Sequence, residues 1–440
     1  MSATACAIAL GVFPISPGGA AATAGAATSK SASSLRCAPG TGTGAPGVTR
    51  TEIKVGAIST LSGILAADFG SLVPGLKAYF SMVDAHGGVN GRKIDLSYDL
   101  DDAGLSSQFE SDARTVTDQD HAFAVAVSSY WFTPTYFSST CTPTYGYDVS
   151  GNWAGPPNLF AAYGSVLTLK TIAPAVAFLA KKTRSKSIAI LAYDVSTSSN
   201  LCHTTGNLLR ANGYKVSFTD LRITPIDTNL TPVVQRIKEA GSDLVVSCMT
   251  VSGNVGLARD LAEYGVHARE LWFDGADTTV LKKYRRVLQG VYFNVENVPA
   301  SAATRYPGTY PGLETYLKEM ARYAPADAGN ALSLDGWESA ALLVAGIRAA
   351  GRNLTQSAVV AATNRMRTFT AGGLEAPLNW QIAHTRVTRT SCTAFEKVRG
   401  TAAIPVFGTR NGVFVCFQSS SVAHPVPVAP PRGLPGAIRR

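Results

Sequence analysis

The fold of this chain is decided by residues 53–102, which read IKVGAISTLSGILAADFGSLVPGLKAYFSMVDAHGGVNGRKIDLSYDLDD. The apolar run at 53–58 leads into the polar stretch 59–63, and a second apolar run follows at 94–98. Between the runs, apolar residues recur at helical spacing, at Leu72, Leu76, Tyr79, Phe80 and Val83. Such a stripe marks one face of a helix. The segment therefore predicts a strand, a helix and a second strand of a buried parallel sheet.

Three further strand-to-helix units follow the same plan. The apolar runs 123–127, 188–192 and 244–246 lead into the polar stretches 128–131, 193–200 and 247–254. The chain therefore reads as βαβαβ over 53–127 and as βαβαβαβ over 188–273. Open α/β sheets bind ligands beyond the carboxyl ends of their strands. Two such arrangements thus predict two lobes that face one ligand.

The second half of the chain completes this architecture. After a strand at 290–298, helices are predicted at 311–323, 333–350 and 356–366 with no clear strand between them. They cannot build their own α/β sheet, so we expect them to cover the first one. The predicted fold class is α/β, with two Rossmann-like lobes whose parallel sheets are joined by crossing hinge strands. The expected segments are a leader and linker at 1–50, lobe 1 at 51–165 plus 299–380, lobe 2 at 166–298 plus 381–418, and a Pro-rich disordered tail at 419–440.

Composition and charge argue against several classes of function. The chain of 440 residues is 46% hydrophobic and 16% charged, which is typical of a globular protein of two or three domains. Its net charge of +9 is scattered, and the basic clusters at 181–184 and 282–286 are interpreted as solvated helix ends. No nucleic-acid partner is predicted. The histidines lack zinc-ligand spacing and the G-x-G-x-x-G at 42–47 follows no strand, so no metal or cofactor is predicted.

The N-terminus resembles an export signal. An apolar stretch at 5–15 precedes a run of small residues at 18–27, although a basic n-region is missing. Cys6 lies in a sequence loosely similar to a lipoprotein cleavage box and is a candidate for a lipid anchor. No apolar run reaches the roughly 18 residues of a membrane helix. We expect an exported protein of the periplasm or the cell surface.

The cysteines fit an oxidising compartment. Of the seven, six are left once Cys6 is removed with the leader, an even number that is expected for paired thiols. Spacing alone does not fix the pairing. The preferred pairs are Cys37–Cys141, Cys202–Cys248 and Cys392–Cys416. Six buried free thiols are the alternative, above all for Cys248 in its apolar strand.

One block of sequence resembles a known family. Residues 87–94, Gly-Gly-Val-Asn-Gly-Arg-Lys-Ile, followed by Asp101 and Asp102, are similar to the signature of branched-chain amino-acid-type (Leu/Ile/Val-binding) solute-binding proteins. These are extracytoplasmic receptors of ABC importers with the type I periplasmic-binding, or Venus-flytrap, fold. Further segments resemble the same family, at 53–63, 335–340 and 376–380. The resemblance covers residues 51–418.

The resemblance implies a function. Two lobes would close by a hinge motion over a small polar ligand, an amino acid or a related amide or carboxylate, and deliver it to a membrane permease. The protein would be a monomer and not an enzyme. Two departures leave the ligand open. Segment 141–160 is longer than its counterpart in the family, and neither Asp274 nor Asp277 aligns cleanly with the acidic residue of the amino-acid binders.

Candidate ligand residues from the first lobe follow its strand ends. Ser128 and Ser129 could hold a ligand carboxylate, or could cap the next helix, and the two roles are compatible. Tyr130 and Trp131 could wall the pocket or belong to the core. Ser62 would form the rim of this lobe.

The second lobe supplies the remaining candidates. Asp277 is preferred to Asp274 as the partner of a ligand ammonium group. The other candidates are Ser198, Ser199, Thr250 and Ser252. Each follows a predicted strand, so all of them should face the same cleft.

Two alternative functions remain open from the sequence. The first is a ligand-sensing receptor domain of the same fold that signals to a partner. The second is an α/β enzyme that uses Asp101, Asp102 or Asp277. Neighbouring residues on an extended segment point to opposite sides, which favours a structural role for Asp101 and Asp102.

Overall fold

The computed structural model of the protein describes residues 35–63, 65–148, 151–162, 164, 172–227, 229–275, 278–386, 390–429 and 434. The predicted export signal, the lipid anchor on Cys6 and the ligand role of Asp277 concern residues outside these ranges. Every helix within the ranges is too short or too polar to span a bilayer.

Two sheets and the helices around them form the folded part. The strands are β1 (Glu52–Ser59), β2 (Lys93–Asp101), β3 (Ala124–Ser128), β4 (Thr144–Gly146), β5 (Leu159–Ala161), β6 (Ile188–Tyr193), β7 (Val216–Ile223), β8 (Leu244–Ser247), β9 (Arg269–Trp272), β10 (Tyr292–Val295), β11 (Thr390–Arg399), β12 (Ala402–Val406) and β13 (Phe414–Gln418). The helices are α1 (Ala66–Phe69), α2 (Leu72–Ala85), α3 (Ser106–Arg114), α4 (Thr135–Thr140), α5 (Ala173–Thr183), α6 (Ser196–Ala211), α7 (Thr231–Glu239), α8 (Val251–Glu263), α9 (Thr278–Lys283), α10 (Ala302–Arg305), α11 (Pro311–Tyr323), α12 (Ala331–Ala350), α13 (Gln356–Thr363) and α14 (Trp380–Ala383).

The first sheet has the strand order β2-β1-β3-β4-β5 and is parallel throughout. Its central strands β1 and β3 are apolar and buried along most of their length, as expected for a sheet covered on both faces. Gly56 lies in β1 because a Cβ at this position would overlap the side chain of Val116. With a larger residue at position 56, β1 could therefore not lie this close to the helical turn that contains Val116.

Helices α11, α12 and α13 return to the first sheet, as the sequence predicts. Helix α12 packs on α2 at backbone contact distance: a Cβ on Gly75 would overlap the carbonyl oxygen of Ser333, and one on Gly336 would overlap that of Leu72. Helix α13 is tied to the sheet by Gln356, whose side-chain amide donates to the Phe123 carbonyl at 3.0 Å. Gly75 and Gly336 thus allow α2 and α12 to pack at a short interhelical distance.

The second sheet has the order β12-β11-β10-β9-β8-β6-β7, with β13 also paired to β11. Strands β6 to β10 pair in parallel, which agrees with the βαβ units predicted over 188–273. Strand β11 then runs antiparallel to β10, β12 and β13. Strands β11, β12 and β13 thus enlarge the second sheet, and the sequence pattern did not predict them.

The chain crosses between the two sheets directly after β10. Asn297 forms an isolated bridge with Glu375, and the Val298 amide donates to the Leu374 carbonyl at 2.6 Å. This pairing of two extended segments has the form expected of hinge strands. The exact lobe boundaries given above stay a prediction.

The backbone conformation of the turn at 87–94 explains why it is rich in glycine. Gly87, Gly88 and Gly91 have φ of +92°, +73° and +82°, and Asn90 has φ of 54°. Glycine and asparagine tolerate this left-handed region better than other residues. A Cβ on Gly88 would also overlap the Arg92 carbonyl oxygen. The signature therefore encodes the tight connection between α2 and β2.

Segment 141–160 contains two strands that the sequence did not reveal. Strands β4 and β5 have three residues each and extend the parallel edge of the first sheet. Runs this short give too little periodicity for detection. The segment also places Tyr147 and Asp148 just beyond the carboxyl end of β4.

The structure differs from the prediction of a disordered tail for residues 419–429. Val422 is buried, and its carbonyl accepts a hydrogen bond from the Tyr214 hydroxyl at 3.3 Å. The Val428 amide donates to the Cys416 carbonyl at 2.8 Å. Single valines between polar and proline residues are enough to anchor this stretch, although they form no periodic pattern.

The end of the predicted linker is also held in place. Cys37 is bonded to Cys141, with 5.7 Å between their Cα atoms. The carbonyls of Gly42 and Gly44 accept hydrogen bonds from the amides of Ser357 and Gln356 at 2.8 and 3.0 Å. Residues 35–50 therefore pack on the start of α13 and do not behave as free linker.

The other two disulfides stabilise the second sheet. Cys202 of α6 is bonded to Cys248 after β8, and Cys392 of β11 is bonded to Cys416 of β13 directly across the antiparallel ladder. The three bonds are the three pairs preferred from the sequence. The alternative of six free thiols is thus wrong.

Candidate functional site

A cavity of about 210 Å³ lies where the carboxyl ends of the two sheets meet. Its walls come from α1 and the β4 end of the first sheet, from the ends of β6, β8, β9 and β10 in the second, and from the start of α12. This is the position at which open α/β folds bind ligands. The cavity is therefore the candidate site.

The two sheets are joined across the cavity by a carboxylate of α1. Asp68 accepts hydrogen bonds from the hydroxyls of Thr250 and Ser252, at 3.0 and 2.6 Å, and from the Ser252 amide at 3.2 Å. Thr250 and Ser252 lie at the N-terminus of α8, where unpaired amides attract negative charge. Helix α1 follows β1 and α8 follows β8, so this contact joins the first sheet to the second at the cavity wall.

A second contact joins the same two halves. The hydroxyl of Tyr147, beyond β4, donates to the Asp274 carboxylate, beyond β9, at 3.2 Å. Burial is the main cause that raises the pKa of Asp274 to about 6, and the negative charge of Asp68 raises it further. Both halves of the protein thus contribute charged groups to the same cavity.

The cavity is rich in carboxyl groups. Five of them line it, at Asp68, Asp148, Asp274, Glu296 and Asp335. Burial raises the pKa of Asp148 well above its ordinary range, and the charges of Glu296, Asp335 and Asp274 add to the effect. Burial also raises the pKa of Glu296 to about 7. Among the lining residues that the structure describes there is no lysine, arginine or histidine.

Aromatic rings form much of the remaining wall. Phe69, Tyr130, Tyr147, Tyr193 and Phe273 all line the cavity. The Phe69 ring lies 6.5 Å from that of Tyr130 and 6.1 Å from that of Tyr147, measured between centroids. The Tyr193 hydroxyl lies 3.2 Å from that of Thr250. The site therefore combines carboxyl groups with apolar and π surface.

Four of the residues predicted to bind the ligand line the cavity: Tyr130, Ser198, Thr250 and Asp274. The Ser198 hydroxyl is occupied in a local network, because it donates to the Cys248 carbonyl at 2.6 Å and accepts from the Tyr193 amide at 2.9 Å. Whether these residues contact a ligand stays a prediction.

Ser128 and Ser129 do not reach the cavity. Both are fully buried, and the Ser129 hydroxyl donates to the carboxylate of Asp102. The same carboxylate accepts from the Thr60 hydroxyl at 2.7 Å and from the Gly104 amide at 2.9 Å. Of the two hydroxyls expected to hold a ligand carboxylate, that of Ser129 is therefore bound to a carboxylate of the protein itself, whereas the buried Ser128 hydroxyl has no partner among the described residues.

The other predicted residues also lie outside the cavity wall. Ser62 is exposed, and its amide donates to Asp101 at 3.2 Å. The Trp131 indole donates to the Gly104 carbonyl at 2.6 Å, and Ser199 donates to the Val195 carbonyl at 2.9 Å within its own helix. Ser252 contacts the wall residues Asp68 and Thr250 without lining the cavity itself.

Several wall residues were not found from the sequence. They are Asp68, Tyr147, Asp148, Tyr193, Glu296 and Asp335. A signal existed for Glu296, since it is the one charged residue in the predicted strand 290–298, which reads GVYFNVENV. A charged residue in such a run points to a special environment. For Asp68 no periodic or motif signal distinguishes the residue from an ordinary helix position.

The residues proposed for the enzyme alternative have structural partners. The Asp101 carboxylate accepts from the amides of Leu61, Ser62 and Ala103 and thereby fixes the loop after β1. Asp102 is fully buried in the network with Thr60 and Ser129. Within the described ranges, no three carboxyl, imidazole or thiol groups form a cluster suited to a metal ion.

Solved structures with the same fold bind different solutes. A fatty-acid ABC transporter substrate-binding protein from Thermomonospora curvata aligns with a TM-score of 0.70 at 17% identity, over 89% of this chain and 97% of its own. A branched-chain amino-acid ABC transporter protein from Thermus thermophilus with bound valine aligns at 0.69 and 13% identity, over 86% and 100%. A solute-binding protein from R. palustris in complex with 4-hydroxybenzoate aligns at 0.64 and 18% identity, over 80% and 95%.

The sequence itself assigns the family. A search of curated proteins finds no match. A sequence model described as periplasmic binding protein matches residues 52–400, which include both sheets up to β11 and all five cavity carboxyl groups. The two-lobed α/β fold and the family resemblance predicted from the sequence are therefore confirmed, and the chain belongs to the periplasmic binding protein family.

Proposed function

We propose that this protein is the extracytoplasmic solute-binding component of an ABC importer. The observation that carries the proposal is the cavity between the carboxyl ends of two sheets, together with the hydrogen bonds of Asp68 and Tyr147 that cross it. A site built from two halves binds its solute by closing. A solute that contacts both halves favours the closed arrangement over the open one.

The hinge is assigned to the crossing segments after β10. Asn297 and Val298 pair there with Glu375 and Leu374. Glu296 immediately precedes this pairing and lines the cavity. Binding of a solute to Glu296 would therefore be coupled directly to the conformation of the hinge.

The solute is a small polar organic molecule. An amino acid, as the sequence resemblance implies, is supported by the position of Asp274 at the wall but not by Ser128 and Ser129, which lie away from it. The similar proteins described above bind a fatty acid, valine or 4-hydroxybenzoate, so family membership leaves the solute class open.

The remaining assignments follow from this role. The partner is a membrane permease that accepts the solute, and the binding protein acts as a monomer without catalysis. Export is supported by the family and by three disulfides, which persist outside the cytosol.

Ligand-induced stabilisation tests the proposal. The protein is heated in the presence of amino acids, amides, carboxylates and amines, and each stabilising compound is then incubated with the protein and analysed for products. Saturation at 100 times Kd should add roughly 2.7 kcal/mol of stability, with a smaller radius of gyration in X-ray scattering and no product. Turnover of a stabilising compound would favour an enzyme. Stabilisation without compaction would contradict hinge closure.

A further inference from the structure

We propose that closure of the two halves is coupled to proton uptake by a carboxyl cluster at the hinge, formed by Glu296, Glu338 and Glu375. The cluster favours the closed, solute-bound arrangement in acid surroundings and the open arrangement as the pH rises. This inference rests on the proposed function and adds a regulatory property to it. It is carried by the position of the three side chains, which lie where the two halves of the protein are joined.

The three carboxyl groups come from three different segments. Glu296 follows β10 and lines the cavity, and Glu375 pairs through its backbone with Asn297, the next residue after Glu296. Glu338 lies on α12, which packs closely on α2. Two members of the cluster therefore belong to the crossing segments, and the third belongs to a helix that is fixed on the first sheet.

Glu338 and Glu375 are buried without hydrogen-bond donors. The two residues are 1% and 2% exposed, and no oxygen of either carboxyl group accepts a hydrogen bond within the described part of the chain. The Asn297 side chain, which donates to Asp335 at 3.4 Å, lies close enough to lower the pKa of Glu338 but does not offset its burial. An ionised carboxyl group in such a place is costly, and retention of a proton avoids that cost.

Buried carboxyl groups on the second sheet differ in this respect. Glu270 accepts a hydrogen bond from the Trp272 indole at 3.2 Å, and Glu396 accepts one from the Ser301 hydroxyl. A buried acid that only fills space can often be replaced by an apolar residue without loss of stability. Unbonded acids at the crossing segments therefore indicate a use for the change of charge itself.

The cluster holds protons in the closed structure. Burial is the main cause that raises the pKa of Glu338 and of Glu375 well above the ordinary range, and the charges of Asp335 and Glu296 raise both further. Burial also raises the pKa of Glu296 to about 7. The three groups therefore retain protons at a pH where a solvated glutamate is ionised.

Other titratable groups face the cluster from the elements packed around it. Asp335 lies on α12 one turn before Glu338, Asp148 lies beyond β4, and Tyr316 lies on α11. The charge of Glu296 acts on Asp148, and that of Glu338 acts on Tyr316. The acids among these groups strengthen the retention of protons by repulsion, and the tyrosine stays neutral in this range.

Opening of the hinge changes this environment. A hinge motion alters the backbone dihedral angles of the crossing segments 296–298 and 374–375, so it moves Glu296 and Glu375 relative to Glu338. Separation of the halves also admits water to the cavity wall that contains Glu296. Solvation returns a glutamate toward its ordinary pKa of about 4.5, so protons held in the closed form are released in the open form.

Acid pH favours the closed form. Because the pKa values are higher in the closed form than in the open form, closure takes up protons. The added stability of the closed form is complete below about pH 4.5 and is lost as the pH rises through 7, the pKa of Glu296, and beyond. Solute affinity is therefore expected to fall with rising pH, by up to about tenfold per pH unit for each proton taken up.

Proton uptake on binding tests the inference. The full chain is titrated by calorimetry at pH 6.5 in phosphate and in imidazole buffer, which differ in their heat of ionisation, so the difference in binding heat gives the number of protons exchanged. Leucine, butyramide and benzoate are the first probes, because none of them titrates near this pH. Any other stabilising compound of the thermal screen replaces them if they do not bind.

Uptake of about one proton per bound solute is expected. Release of protons, or no exchange, overturns the inference while the solute-binding function stands. A chain that binds no compound of the screen contradicts the proposed function itself.

Variants separate proton coupling from damage to the hinge. Glutamine resembles a protonated glutamate, so Glu375→Gln should take up fewer protons and should bind at pH 8 about as tightly as the parent does at pH 5.5. Glu270→Gln is the matched control, because Glu270 is a buried carboxyl with its pKa raised to about 8 that bonds to Trp272 on β9. The control should leave proton uptake unchanged.

The thermal midpoint of each variant shows whether it folds, and Glu338→Gln repeats the test at the facing position. Proton uptake equal to that of the parent in both hinge variants would overturn the inference. Weaker binding at pH 5.5 and at pH 8 alike would also overturn it, because damage to the hinge lowers affinity at every pH.

Discussion

Two carboxylates, Asp102 and Asp68, each accept hydrogen bonds from hydroxyl groups near the carboxyl ends of strands. The two carboxylates differ in whether their donors lie in the same half of the protein. Asp102 accepts from Thr60 and Ser129 within the first sheet and is fully buried. Asp68 crosses the cavity to reach Ser252 and Thr250 at the start of α8. The first contact stays intact whatever the hinge does. The second must break when the two halves separate.

The difference shows how one fold uses the same chemistry for stability and for motion. A carboxylate bound to hydroxyls within one sheet fixes the loops that carry the site. A carboxylate bound across the cleft holds the halves together only while they are closed. Because the two contacts are chemically alike, substitution of each acid should reveal the difference in their roles.

The largest effect is expected for Asp102→Ala. The substitution removes a buried acceptor of three hydrogen bonds and leaves the Thr60 and Ser129 hydroxyls unpaired, which should lower the free energy of unfolding by about 3 kcal/mol. Denaturant unfolding measures the loss. Asp227→Ala, at an exposed position, is the control and should change stability by less than about 0.5 kcal/mol. A loss below about 1 kcal/mol for Asp102→Ala would contradict the buried network.

A carboxyl group that receives no hydrogen bond from the described part of the chain, such as that of Glu296, should behave in the opposite way. Burial raises the folded-state pKa of Glu296 to about 7. The native protein therefore retains a proton that the unfolded chain has released, and stability falls as pH rises from about 4.5 to 7. Glu296→Gln removes this loss. The variant should gain about 2 kcal/mol relative to the parent between pH 5 and pH 8.

Denaturant unfolding at several pH values measures this gain. Groups that titrate equally in both proteins cancel in the difference, which isolates the contribution of Glu296. The exposed Glu263→Gln serves as the control and should leave the pH dependence unchanged. A constant difference between Glu296→Gln and the parent across this range would show that Glu296 does not retain its proton.

A smaller effect on global stability, but a distinct effect on shape, is expected for Asp68→Ala. Loss of the bonds to Thr250 and Ser252 should shift the closed-to-open equilibrium by about 1 kcal/mol, or roughly fivefold. X-ray scattering of the free protein should then show a larger radius of gyration. Asp260→Ala is the matched control, because Asp260 accepts from the Leu230 amide within the second sheet's own helices. Equal expansion in both variants would contradict a role for Asp68 in closure.

The smallest effect is expected for the hydroxyls that lie off the cavity. Ser62→Ala and Ser199→Ala should change the affinity for a stabilising solute by less than about twofold, since neither residue lines the wall. Thr250→Val, at the wall, should weaken binding more than either. Calorimetry distinguishes these outcomes. A larger loss for Ser62 than for Thr250 would place the site elsewhere in the cleft.

Much of the fold could be predicted from the sequence, because local patterns of apolar residues determine its strands and helices. The apolar runs of β1, β3, β6 and β8, and the helical stripe of α2, have periodicities that depend only on nearby residues. The turn at 87–94 was readable because left-handed φ angles demand glycine or asparagine. Strands β4 and β5 were missed because three residues are too few to show a period.

The site was harder to predict, because its residues share no local pattern. The reasoning from strand ends led to Tyr130, Thr250 and Asp274, which line the cavity, and their contact with a ligand stays a prediction. The same reasoning assigned Ser128 and Ser129 to the ligand, although the Ser129 hydroxyl is bound to Asp102. Which acceptor a hydroxyl finds depends on a residue 27 positions away in the chain.

The sequence by itself determined the two α/β halves and the family, because they are encoded by apolar spacing and turn glycines. The even number of cysteines indicated disulfides, and the structure established their pairing. Only the tertiary structure decided that five acids from α1, α12 and three strand ends line one cavity. The reason is physical. The energy of a buried charge depends on what surrounds it after folding, and no single stretch of chain carries that information.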